Sequence, residues 1–171
     1  MKLTLENCRH LTGPSLYFHS PGTVLDAYIS GVPVEEVVKC WQEKVHKLRE
    51  AVGWKQTPLT IRTSQNGVSL ALSASIDSVY SATELNKAAW NNTVAGLSGA
   101  TPEDFENIVA KLKANILQES DPDLLKLSEA AEAQGLQLLA RQDRRSSARA
   151  ALSRLVGHAL ARLRLHCHRD H

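Results

Sequence analysis

Residues 59–90 read LTIRTSQNGVSLALSASIDSVYSATELNKAAW, and how this stretch divides into elements decides the fold. Leu59 and Ile61, then Val68, Leu70 and Leu72, alternate with other residues at the period of half-buried strands. Asn66-Gly67 between the two runs tolerates positive φ at both turn positions, which predicts a two-residue hairpin. From Ile76 to about Leu97 the pattern becomes helical, with Val79, Thr83, Asn86 and Trp90 on one side. Asp77 or Ser78 is expected to cap this helix, because their side-chain oxygens accept bonds from unpaired helix-start amides.

Upstream, Lys2–Asn7 and Thr23–Ile29 alternate in the same way and read as strands, with LTGPS (11–15) as a turn between them. Residues 32–54, VPVEEVVKCWQEKVHKLREAVGW, place Val34, Val37, Val38, Trp41, Val45, Leu48 and Val52 at spacings of three and four. That is one continuous apolar stripe on a helix ending at Gly53. From Thr23 the order is strand, helix, strand, strand, helix, which predicts an α+β fold: a small antiparallel or mixed sheet with helices on one face. A helical C-terminal segment should follow. Thr101 as cap and Pro102 at the first helical position start one helix, with Phe105, Ile108, Val109, Leu112 and Ile116 as its stripe. Residues 121–135, DPDLLKLSEAAEAQG, repeat that start and stop at Gly135.

The chain has 171 residues, the size of one domain with an appendage. Residues 1–140 hold 12 Lys and Arg against 16 Asp and Glu, a net −4; residues 141–171 hold eight arginines against Asp143 and Asp170, a net +6. We therefore divide it into a body, 1–140, and a basic Arg-rich tail, 141–171. A basic tail is compatible with nucleic acid or an anionic surface, but no nucleic-acid motif accompanies it, and nucleic-acid binding is not expected. No apolar run reaches the ~18 residues of a membrane span, and the first twenty residues lack the apolar block of a signal peptide. Cys8, Cys40 and Cys167 are far apart and odd in number, which fits reduced thiols. A cytoplasmic protein without membrane contact is expected.

Phosphoryl chemistry on the P-loop plan needs a GxxxxGK followed by Ser or Thr, and zinc hydrolysis on a helix needs two histidines one turn apart with a glutamate between them. Neither pattern occurs, and no cofactor, catalytic residue or functional metal site is expected. His166, Cys167, His168 and His171 at the C-terminus offer soft ligands, but a structural site draws on ligands held by a packed surround. Glu84 is the best isolated candidate for acid–base work; its nearest helical carboxylate, Asp77, is two turns away.

Three segments together carry a resemblance: residues 8–29, with Arg9, Leu11, Thr12, Gly13 and Pro14; the helix ending at Gly53-Trp54; and the helix with Tyr80, Ala82, Thr83, Glu84 and Asn86. Over about residues 5–140 the chain resembles the N-terminal domain that precedes the ligase domain in bacterial Mur-ligase-family proteins similar to cyanophycin synthetase. The resemblance implies an accessory, substrate-docking part of an ATP-dependent amide ligase, stand-alone or truncated, with the ATP chemistry done elsewhere. The partners it implies are a separately encoded ligase or a peptide or amino-acid polymer; a homo-oligomer is a further expectation. It assigns no catalytic residue, and the helix at Tyr80 lacks the histidine of the metallopeptidase-like cluster found in some relatives. If the docking role holds, HLTGPS should pass the start of the Tyr80 helix and bring Arg9, Tyr80, Glu84 and Asn86 together as the ligand-binding group. Arg9 would hold a carboxylate there, and Glu84 an amine or guanidinium.

Overall fold

The computed structural model describes residues 1–133 and 135. Four strands and four helices follow one another: β1 (Lys2–Leu11), β2 (Gly22–Ser30), α1 (Val34–Ala51), β3 (Leu59–Thr63), β4 (Gly67–Ser73), α2 (Val79–Ser98), α3 (Phe105–Glu119) and α4 (Pro122–Ala133). The sheet has the order β1-β2-β4-β3, and every neighbouring pair is antiparallel. The fold is α+β. No helix among the described residues is long and apolar enough to cross a membrane. The tail and its His/Cys cluster lie outside the described residues.

Alternation along the strands separates two faces. Leu25, Ala27 and Ile29 of β2 and Val68, Leu70 and Leu72 of β4 form one core with Val37, Trp41, Val45 and Leu48 of α1, and with Ala82, Leu85, Ala89 and Trp90 of α2. Ile108, Val109 and Leu112 of α3 close the same core. The helix layer thus covers one face of the sheet. Two polar groups bind its halves: Trp41 Nε1 donates to Asn86 Oδ1 (3.0 Å), and Asn86 Nδ2 donates to Leu70 O (3.1 Å). Arg49 at the end of α1 is buried and donates to the carbonyls of Thr57 and Ser73. Burial lowers its pKa, since desolvation penalises the cation.

Four boundaries differ from the sequence reading, each for a physical reason. β1 runs past Asn7 to Leu11 because a bulge at Glu6, between the pairs Leu5↔Ala27 and Asn7↔Asp26, resets the alternation. Leu3 and Leu5 therefore share a face with Cys8 and His10. The hairpin turns at Gln65-Asn66, closed by Ser64 N–H to Gly67 O, with Gly67 already the first residue of β4. α2 begins at Val79; Ser78 occupies the cap position, but its hydroxyl bonds Ser75 O. The amides of Tyr80 and Ser81 are bound instead by the Glu119 carboxylate at 2.7 and 2.8 Å. α3 begins at Phe105 under an Asp104 cap that accepts from Asn107 N–H, since Asn92 bonds the Glu103 backbone and holds Thr101–Asp104 out of helical form. α1 ends as expected, at Gly53 with φ 78°.

Candidate ligand-docking face

Among the described residues the other face of the sheet carries no helix. Register places Asn7, Asp26, Ser69 and Arg62 in one row across all four strands: Asn7 pairs with Asp26, Asp26 with Ser69, and Ser69 with Arg62. Side chains at paired positions share a face, so four polar residues lie abreast on the side opposite the helices. Asp26 is the anchor of the row. Its Oδ1 accepts from the Ser69 hydroxyl at 2.6 Å, and its Oδ2 faces Arg9 Nη2 at 3.4 Å. The Asp26 side chain keeps 25% of its exposure and Arg9 keeps 51%, so the ion pair is accessible to solvent and contributes ~0 to 1 kcal/mol to stability. Glu6, Asn7, Asp26, Arg62 and Ser69 line a depression of about 370 Å³.

One row further along, the same face is closed. Val24 and Ala71, paired with each other, are fully buried although both point away from the helices. The loop 12–21 covers them, strapped across the sheet from the end of β1 to the far edge. Thr60 Oγ1 donates to Tyr17 O, Arg62 Nη2 donates to Leu16 O, and the Arg62 guanidinium stacks 4.9 Å from the centre of the Tyr17 ring. Inside the loop, Ser15 Oγ accepts from the amides of Tyr17 and Phe18. The returning chain needs glycine at 22, where a Cβ would lie 2.5 Å from Leu72 O. The LTGPS segment is therefore the start of a loop packed on the outer face.

The four residues expected to form one group are divided by the sheet. Arg9 alternates with Cys8 and His10, which meet α2, and so points to the opposite face, onto Asp26. Tyr80 stacks on His10 (4.9 Å between ring centres) and is 46% exposed, and burial, followed by the nearby Glu119 charge, raises its pKa. Glu84 is held by Lys87 at 2.9 Å, a bond that raises the lysine pKa. Asn86 is fully buried between Trp41 and Leu70. Of HLTGPS only His10 meets the start of α2, at Tyr80; β1 stays in the sheet to Leu11 and the loop then crosses the outer face, away from Glu84 and Asn86. Cys8 lies between β1 and α2, its Sγ 3.9 Å from both Thr23 Oγ1 and Thr83 O, and burial pushes its thiol pKa up, away from nucleophilic reactivity.

A larger groove of about 660 Å³ runs between α1 and the loop 101–105, but its lining is mainly apolar, and its acids Glu103 and Asp104 are engaged by Lys111 and the Asn107 amide. Among the described residues no group of three His, Cys, Asp or Glu could hold a metal ion. The sequence reading missed Asp26, Ser69 and Arg62. The signal for Asp26 was present: a carboxylate in the middle of the apolar strand TVLDAYI. No protein-family model, curated protein or solved structure matches this chain.

Proposed function

We propose that the chain is an accessory, substrate-docking domain of an ATP-dependent amide ligase of the Mur-ligase kind, similar to cyanophycin synthetase, acting in the cytoplasm without a catalytic centre of its own. One observation carries the docking role: the polar row Asn7–Asp26–Ser69–Arg62 across the sheet face that carries no helix among the described residues. Groups carried by a four-stranded sheet are fixed in relative position by the backbone ladder, so a ligand meets donors and acceptors already arranged. Both signs of charge are present, from Arg9 and Arg62 and from Glu6 and Asp26. Such a surface suits a peptide or amino-acid polymer bearing carboxylates and cationic groups, held by charge-assisted bonds. The resemblance over residues 5–140 supports the reaction context, with a separate ligase performing the ATP chemistry.

Calorimetric titration at low salt with an Asp-Arg dipeptide polymer, and with free amino-acid acceptors, tests the reading. Binding of the polymer should weaken as salt rises and should fall in Arg9→Ala and Asp26→Asn. No binding by the parent protein, or equal binding by all three proteins, removes the docking role. ATP turnover that survives repurification and disappears with a point substitution in this chain would overturn the non-catalytic part.

A further inference from the structure

We propose that Arg62 is the carboxylate-reading residue of this face, and that the loop 12–21 is the element that positions it. This rests on the docking role above and gives it a polarity: ligands place a carboxylate at the β3 edge and a cationic group toward Glu6 at the β1 edge. The charges on the face are not equally engaged. Asp26 has both oxygens occupied, by Ser69 and by Arg9. Arg62, at the far end of the row, has no carboxylate partner among the described residues and meets only neutral groups, the Leu16 carbonyl and the Tyr17 ring. Glu6, at the opposite edge of the same depression, likewise forms no ion pair among the described residues.

A guanidinium carries five N–H donors in a planar fork. The bond to Leu16 O uses one of them, the guanidinium carbon lies 4.9 Å from the centre of the Tyr17 ring, and the side chain is exposed, which leaves donors accessible. A carboxylate accepts two such donors at once, and these charge-assisted bonds are roughly twice as strong as bonds to a neutral carbonyl. The strap therefore holds a long, otherwise mobile side chain in one orientation before any ligand arrives, which reduces the ordering cost of binding. Across three strand spacings the β1 and β3 backbones stand roughly 14 Å apart. A tripeptide, at ~3.3 to 3.6 Å per extended residue, spans most of that distance.

Triglycine is a suitable probe, because its ammonium and carboxylate are its only charges. Its affinity, measured by NMR titration, is compared with that of triglycine amide, which lacks the carboxylate, and of acetyl-triglycine, which lacks the ammonium. The parent protein and Tyr17→Phe should prefer the acid to the amide by about tenfold or more. Arg62→Ala and Arg62→Lys should lose most of that preference, the lysine because it cannot present the fork. Tyr17→Ala should lose it too, with an unchanged melting temperature, and Tyr17→Ala added to Arg62→Ala should cost nothing more, since Tyr17 acts through Arg62. Equal affinity for acid and amide, a preference that survives Arg62→Ala, or a further loss in the double variant overturns the inference. If the polymer binds in the earlier titration but the acid and amide bind alike here, only Arg62 reading fails. If neither polymer nor any tripeptide binds, the docking role fails with it.

Discussion

Replacing Glu119 by alanine should destabilise the domain at a point remote in sequence from the helix it serves. α2 has no side-chain cap of its own, and the Glu119 carboxylate takes the amides of Tyr80 and Ser81 and the Ser81 hydroxyl at 2.7, 2.8 and 2.7 Å. A lost N-cap costs ~1 kcal/mol. Removing the negative charge from the positive end of the helix dipole costs ~0.3 to 1 kcal/mol. The hydroxyl bond adds ~0.5 to 1 kcal/mol. Glu119→Ala should therefore cost about 2 to 3 kcal/mol, or about 4 to 12 °C in Tm for a chain of this size. Glu119→Gln keeps one acceptor oxygen without the charge and should cost about half as much. Urea unfolding followed by tryptophan fluorescence gives the free energies, and an unchanged slope shows that the folded and unfolded states are otherwise alike. Amide exchange at Tyr80 and Ser81 should accelerate more than at the middle of α2. An alanine variant within about 0.5 kcal/mol of the parent, inside the ordinary range for a surface substitution, would refute the reasoning and leave α2 capped by water.

Asn86→Leu should cost about 1 to 3 kcal/mol in the same assay, because it strands the Trp41 indole N–H inside the core and removes a second bond to the Leu70 carbonyl; a variant as stable as the parent would show that those bonds are dispensable. Cys8 should react with a disulfide reagent near pH 8 more slowly in the folded than in the unfolded protein, because burial raises its pKa above the ordinary value of 9.0. A thiol whose folded pKa is raised contributes stability that is present below pH 9 and is lost as pH rises through the folded value. The parent should therefore lose more stability than Cys8→Ala under alkaline conditions, and parallel pH profiles would contradict this.

The helix layer was legible because its signal is local. Val37, Trp41, Val45 and Leu48 recur at helical spacing, and all are buried on one side of α1; Val79, Thr83, Asn86 and Trp90 do the same on α2. Boundaries failed where a tertiary contact overrode a local signal. Thr101-Pro102 satisfies the rule for a helix start, yet Asn92, eleven residues from Glu103, holds that backbone in a loop. Ser78 is a sound cap by residue type, yet the amides near it go to Glu119, 38 residues beyond Ser81. The proposed docking face was hidden for a related reason. Asp26 and Ser69 are 43 residues apart, and their meeting depends on β2 pairing with β4 rather than with β3. The bulge at Glu6 then sends Arg9 to the outer face, where strict alternation from Leu3 and Leu5 would have put it with the helices.

Whether that face exists for binding or for folding is separable through Asp26. In a row kept for stability, Asp26→Val would break a useful pair and lower the unfolding free energy. The contacts argue otherwise. The Arg9 pair is long at 3.4 Å and half exposed on the arginine side, a class of interaction that contributes ~0 to 1 kcal/mol. Arg9 freed of Asp26 returns to water without a buried, unpaired charge, and the Ser69 hydroxyl at the edge of the depression can bond water in place of the carboxylate. Valine in turn suits a strand between Leu25 and Ala27, where β-branched residues gain up to ~1 kcal/mol over aspartate. Asp26→Val should thus be as stable as the parent, or more stable by up to about 1 kcal/mol, while polymer binding falls. Stability given up for function at a single mid-strand carboxylate is the pattern expected of a site. If Asp26→Val instead lost more than about 1 kcal/mol and kept full binding, the row would be a structural ladder and the ligand would have to be sought on another surface.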